Sequence, residues 1–123
     1  MKKYIGRAMT RNIDLNGVQM SEELINDILT RQPKVPVTVD FEGDSVGVTH
    51  AFTKDEVGLL CEFSIESSKI PPLMDQLYIV SVLNDPRWHR EGRIKVVDEA
   101  ELSSMLITIL PADATLLPFK ENK

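Results

Sequence analysis

Residues 35–65, VPVTVDFEGDSVGVTHAFTKDEVGLLCEFSI, decide the fold class. Val35, Val37, Val39 and Phe41 alternate with polar or turn-forming residues. After the turn Glu42-Gly43-Asp44-Ser45, the residues Val46, Val48, His50 and Phe52 alternate again, and Leu59, Cys61, Phe63 and Ile65 form a third set. A side-chain period of two is the signature of a half-buried strand. Three such runs with short polar links predict an antiparallel meander.

Upstream, residues 3–9 read as a first strand carrying Tyr4 and Ile5. Residues 9–21 hold Asn12, Asp14, Asn16 and Gly17, and read as a loop because Asn and Asp bond their own backbone and Gly supplies positive φ. Ser21 is a good N-cap, with Glu22 and Glu23 in the first turn where the helix dipole favours negative charge. Leu24, Ile25, Ile28 and Leu29 share one helical stripe, which predicts a helix from Glu22 to Thr30 or Arg31, closed by Pro33. Pro36 has the next strand begin near a sheet edge or with one free N–H.

Downstream, residues 73–76 are expected to form a helical turn. Residues 77–83, LYIVSVL, are almost continuously apolar, which predicts a central strand buried on both faces. Asn84-Asp85-Pro86 reads as a turn, residues 87–93 as a polar loop, Ile94, Val96 and Val97 as a short strand, and Asp98 as the cap of a brief turn through Ala100. A last β run spans 102–110 and stops at Pro111; the tail is expected to pack at Leu116, Leu117 and Phe119. The reading is a single domain, 1–123, with its core at about 3–117 and residues 118–123 fraying. Its class is α+β, β-dominated: a small, partly closed antiparallel β-barrel with one main flanking helix.

The 123 residues include 42% hydrophobic side chains, and a chain of this size buries roughly two-thirds of its unfolded surface. The net charge of −5 is made of interspersed acids and bases, which argues against a nucleic-acid face. One cysteine and two histidines exclude an internal disulfide and a cysteine–histidine zinc set. Asp44, Asp55 and Glu56 lack the ligand spacing of a calcium loop, no phosphate-binding glycine loop is present, and neither metal nor cofactor is implied. No apolar run approaches the ~20 residues of a membrane span, and MKKYIGRAM lacks the apolar stretch of a signal peptide. A cytoplasm is the simplest compartment.

The order of features resembles the prohead maturation proteases of tailed phages, which share the herpesvirus assemblin-like barrel. The resemblance covers about residues 4–115. It rests on a first strand, a loop with Thr10, Asp14 and Gly17, a helix and the VPV strand, then the acidic turn into Val46-Gly47, Asp55-Glu56-x-Gly58-Leu59, an apolar strand, and a β run ending Pro111-Ala112-Asp113-Ala114. It implies the fold and a phage context. The family's catalytic residues do not carry over. Phe41 stands at the histidine, Tyr78 at the serine, and Ser103 or Ser104 in the region of the third member. A serine peptidase needs a hydroxyl whose proton an imidazole accepts, and neither Phe41 nor Tyr78 meets that need.

No catalytic residue is assigned; Ser81 and His50 are the weak alternative for a relocated site. Ser81 reads most simply as a core hydroxyl bonded to a backbone carbonyl, His50 as a half-buried residue on an apolar phase, and Cys61 as a packing thiol. The segment Arg87, Trp88, His89, Arg90 and Arg93 is the candidate binding surface, since Trp and Arg are enriched at interface hot spots. The competing reading is that Trp88 folds back to plug the barrel end. The expectation is a non-catalytic phage protein that binds head or capsid proteins or itself, in the host cytoplasm or the virion. The alternatives are a divergent serine peptidase and a phage protein that binds a host defence component.

Overall fold

The computed structural model describes residues 2–39, 44–69, 77–108, 111, 116 and 118–121. Its strands are β1 (Lys2–Thr10), β2 (Val18–Met20), β3 (Pro36–Thr38), β4 (Ser45–Lys54), β5 (Gly58–Ile65), β6 (Tyr78–Glu91), β7 (Ile94–Thr108) and β8 (Lys120–Glu121), with helix α1 (Glu22–Arg31) between β2 and β3. They form one eight-stranded sheet, ordered β2-β7-β3-β4-β5-β1-β8, with β6 on the other flank of β7. The expected meander is present as antiparallel β3-β4-β5, extended by β1. The class is α+β and β-dominated, a curled and partly closed half-barrel with one flanking helix.

Helix α1 starts and ends where its chemistry dictates. The Ser21 hydroxyl accepts the Leu24 N–H at 3.1 Å, and Glu22 and Glu23 occupy the first turn. Leu24, Ile25 and Ile28 are buried, and Leu29 packs beside them. Gln32 ends the helix in the left-handed region (φ 46°), its N–H donating to the Ile28 carbonyl. Its side-chain amide then grips β4, donating to the Phe52 carbonyl and accepting the Phe52 N–H, 2.7 and 2.8 Å.

Curling brings β6 to face β1, but no ladder joins them. Instead the Ser81 hydroxyl donates to the Ala8 carbonyl at 2.9 Å, and the Phe119 N–H donates to the Leu77 carbonyl at 3.0 Å. Ala8 is the residue skipped where the β1–β5 register shifts, so a bulge frees a carbonyl that a side chain then uses. The approach is close enough that a Cβ at Gly6 would meet Ile79 at 2.8 Å and Phe119 at 2.7 Å. Inside, the Phe119 ring packs edge-on against Tyr4 and Phe63, with centroids 5.6 and 5.2 Å away. The tail therefore does not fray from 118: Phe119 is buried, and Lys120 and Glu121 pair with Ile5 and Tyr4. Leu116 is also buried, as expected.

Four further readings are corrected. Residues 18–20 were expected in a loop, yet they pair with Lys95, Val96 and Val97 as a short parallel strand. The run 77–83 is not central: among the described residues it ladders with β7 alone, and Val80, Ser81, Val82 and Leu83 are only half-buried. Asn84-Asp85-Pro86 does not end the strand; Asp85 takes φ 49° and forms a bulge opposite Ala100, so β6 continues to Glu91. The pieces at 94–97 and 102–110 are one strand through 108, with no break at Asp98. By contrast 102–108 is central, flanked by β6 and β3. The helical turn at 73–76, Phe41 and Leu117 lie outside the described residues.

Ile79 is 1% exposed and sits at the β1–β6 closure. Its truncation to Ala should cost about 2–5 kcal/mol in denaturant unfolding; a loss under about 1 kcal/mol, within the range of a surface substitution, would contradict the closure.

Candidate functional site: a β-ribbon with an exposed strand

Beyond residue 83 the β6–β7 pair continues as an antiparallel ribbon whose β6 strand is exposed. Asn84 to Glu91 are all exposed. Glu91 pairs with Ile94, so Gly92 and Arg93 form a two-residue turn. Gly92 has φ 62° while Arg93 is not in the positive-φ region, which is the type II′ pattern with Gly first. On the return strand Val96 and Val97 are buried, and β2 pairs along this stretch of β7. The ribbon is thus supported on one flank and bare on the other among the described residues.

Strand alternation sorts the candidate residues onto two faces. Trp88 and Arg90 share one face. Lys95, the cross-strand partner of Arg90, joins them. The Arg90 guanidinium lies 5.4 Å and the Lys95 ammonium 4.4 Å from the Trp88 ring centroid. Each such contact at an exposed site is worth about 0.5–1 kcal/mol. Trp88 keeps 45% of its surface exposed, so it does not plug the barrel. Neither Arg90 nor Lys95 enters an ion pair among the described residues.

His89 projects on the opposite face between two carboxylates, Nδ1 2.5 Å from Asp98 and Nε2 3.2 Å from Glu91. These two hydrogen bonds, Asp98 first, raise its pKa above the ordinary 6.5. Arg87 is 3.8 Å from Glu99, both strongly exposed, a loose pair of small worth. Arg93 occupies the turn. Sequence reasoning grouped Arg87, Trp88, His89, Arg90 and Arg93 but missed Lys95. Reading Glu91-Gly92-Arg93 as a hairpin turn would have placed Lys95 opposite Arg90.

The weak peptidase alternative is not assembled. Ser81 donates to the Ala8 carbonyl, and His50 Nε2 lies 2.8 Å from Ser64 Oγ. Ser81 lines a cavity of about 330 Å³ between β1, β2, β6 and β7, and neither histidine lines it. His50, expected to be half-buried, is exposed: it is the residue skipped at the β4–β5 register shift, which takes it off the apolar phase, and its partner Ser64 is only 1% exposed. Ser103 donates to the Val82 carbonyl. Cys61 is fully buried, and desolvation pushes its thiol up to about 12, so the reactive thiolate is suppressed.

The turn acids act on backbone. Asp14 accepts the Asn16 and Val18 N–H groups, and Asp55 those of Val57 and Gly58. Asp55 also holds Arg7 bidentately, at 2.7 and 2.5 Å, which sets its carboxyl well below the usual carboxylate range. Among the described residues, no group of His, Cys, Asp and Glu has a metal-holding arrangement, and no helix is long and apolar enough to cross a membrane. The chain matches no family model, no curated protein and no solved structure.

Because the folded-state pKa of His89 is raised, its ion pairs stabilise the ribbon fully below the unfolded pKa near 6.5 and lose that effect as pH rises through the folded value. An NMR titration should place the His89 midpoint above 6.5, and Asp98→Asn should lower it. A midpoint at the ordinary value would contradict the pairing with Asp98.

Proposed function

We propose that this chain is a non-catalytic, phage-encoded protein of prohead-protease-like fold that works by binding proteins in head or capsid assembly, in the host cytoplasm or the virion. The carrying observation is Trp88, 45% exposed between two cations that have no carboxylate partner among the described residues, on the exposed strand of the ribbon. A half-exposed aromatic flanked by unpaired cations is the composition of an interface anchor. Its match is an acidic partner surface whose carboxylates complete charge-assisted hydrogen bonds to Arg90 and Lys95. The molecule carries a net charge of −5, so this cationic face runs against its own surface balance and selects partners by charge. The commitment of Ser81 and Ser103 to backbone carbonyls supports the non-catalytic reading.

A peptidase reading keeps one observation in its favour, the 2.8 Å His50–Ser64 contact. The burial of Ser64 weighs against it, since a nucleophile must meet its substrate. A protein that binds a host defence component would use the same ribbon, and the identity of the captured protein separates the two.

Trp88→Ala should weaken capture of the purified head or scaffold protein by roughly 2 kcal/mol or more, with the fold retained. Unchanged binding would remove the ribbon from the interface, and cleavage of the partner, read by mass spectrometry, would overturn the non-catalytic reading.

A further inference from the structure

The bare flank of β6 has a property that its individual residues do not reveal. A strand edge with unpaired N–H and C=O groups is a template for another strand. Here the edge is bounded. On one side stands the Asp85 bulge, φ 49°, followed by Pro86; on the other stands the Gly92-Arg93 turn. What remains is Arg87-Trp88-His89-Arg90-Glu91, five exposed residues whose only ladder partner among the described residues is β7.

We propose that this edge pairs antiparallel with the same edge of a second copy, about a two-fold axis at His89. The proposal rests on the reading of the ribbon as the binding element and names the partner. In this register Arg87 meets Glu91 of the other copy, Trp88 meets Arg90, and His89 meets His89. Each of the two Arg87–Glu91 contacts joins opposite charges, and each Trp88 ring receives a guanidinium, the cross-strand pairings that stabilise sheets.

The neighbouring registers fail. Backbone groups alternate between the two flanks of a strand, so an antiparallel self-pair shifts only in steps of two residues. One step in one direction sets Arg87 against His89 and leaves Glu91 without a partner on the edge. One step in the other sets Arg90 against Arg90 and leaves Arg87 without one. Like charges directly opposite are destabilising, and the favoured alignment sets only His89 against its own copy, each imidazole held between the carboxylates of Asp98 and Glu91, so the charges of the edge favour this alignment. The contact is isologous and closes at two copies. Pro86 and the bulge stop the ladder from running further, which is how edge strands avoid open-ended aggregation.

The test is sedimentation of the whole chain from micromolar to millimolar concentration. The wild-type protein should show a concentration-dependent monomer–dimer equilibrium. Arg87→Glu and Glu91→Arg should each raise the dissociation constant roughly tenfold, because each sets two like-charge pairs across the axis. The double variant R87E/E91R should restore it. Both positions are exposed, and circular dichroism of each variant checks the fold. A monomer at every concentration, single variants without effect, or a double variant that fails to recover would each overturn the proposal. A chain that stays monomeric while Trp88→Ala still loses a head protein would refute the dimer alone and leave the proposed function standing.

Discussion

The antiparallel ladder between β6 and β7 is the constraint on which the rest of this structure depends. Its base, where Tyr78 to Val82 pair with Thr108 to Ser104, is a wall of the half-barrel. Its outer part, where Trp88 to Glu91 pair with Val97 to Ile94, is the ribbon. One continuous pair of strands thus joins the buried core to the exposed Trp88. The register shifts near Asn84 and Arg87 mark the change from wall to ribbon, as bulges bend a strand and increase its twist. Strand β7 also carries β2 and β3 on its second flank, so it organises both the early loop and the meander.

Curling a sheet without closing its ladder leaves carbonyls to satisfy, and this chain satisfies them with side chains. Ser81 covers Ala8, Ser103 covers Val82, and Thr49 bonds both the Pro33 carbonyl and the Val35 N–H. No buried side-chain nitrogen or oxygen among the described residues is left without a partner. Two of the hydroxyls that a hydrolytic reading would call on, Ser81 and Ser103, are therefore occupied by backbone. An unmade bond of this kind costs ~1–3 kcal/mol once buried, so freeing Ser81 for chemistry would weaken the closure it makes.

Much of the fold was legible because burial imposes period two on strands and 3.6 on the helix. The meander, the cap at Ser21, the stripe Leu24, Ile25, Ile28 and the inert Cys61 all follow from local pattern. The misreadings share one cause. Asn84-Asp85-Pro86 is a sound turn signal, and Asp85 does adopt positive φ, but the ladder to β7 overrides the turn and absorbs it as a bulge. Asp98 carries no local signal of sitting mid-strand; it is skipped at a register shift, and what holds it there is the pairing of its neighbours Val97 and Glu99 with Trp88 and Arg87. Residues 18–20 are too short and too mixed to read as a strand without β7. At the site the residue types were legible and their faces were not, because a loop assigns no face and a ribbon does. That difference separates His89, held by Asp98 and Glu91, from Trp88, held by Arg90 and Lys95.

The account of function turns on whether the aromatic ring stands in solvent at the ribbon or fills the barrel. Trp88 is the chain's one tryptophan, so its fluorescence reports on this point alone. Acrylamide quenching of the dilute protein measures it directly. The account predicts a red-shifted, readily quenched emission that becomes shielded when the ribbon is covered by a partner. A blue-shifted emission that acrylamide barely reaches in the isolated monomer would contradict it and return Trp88 to the core.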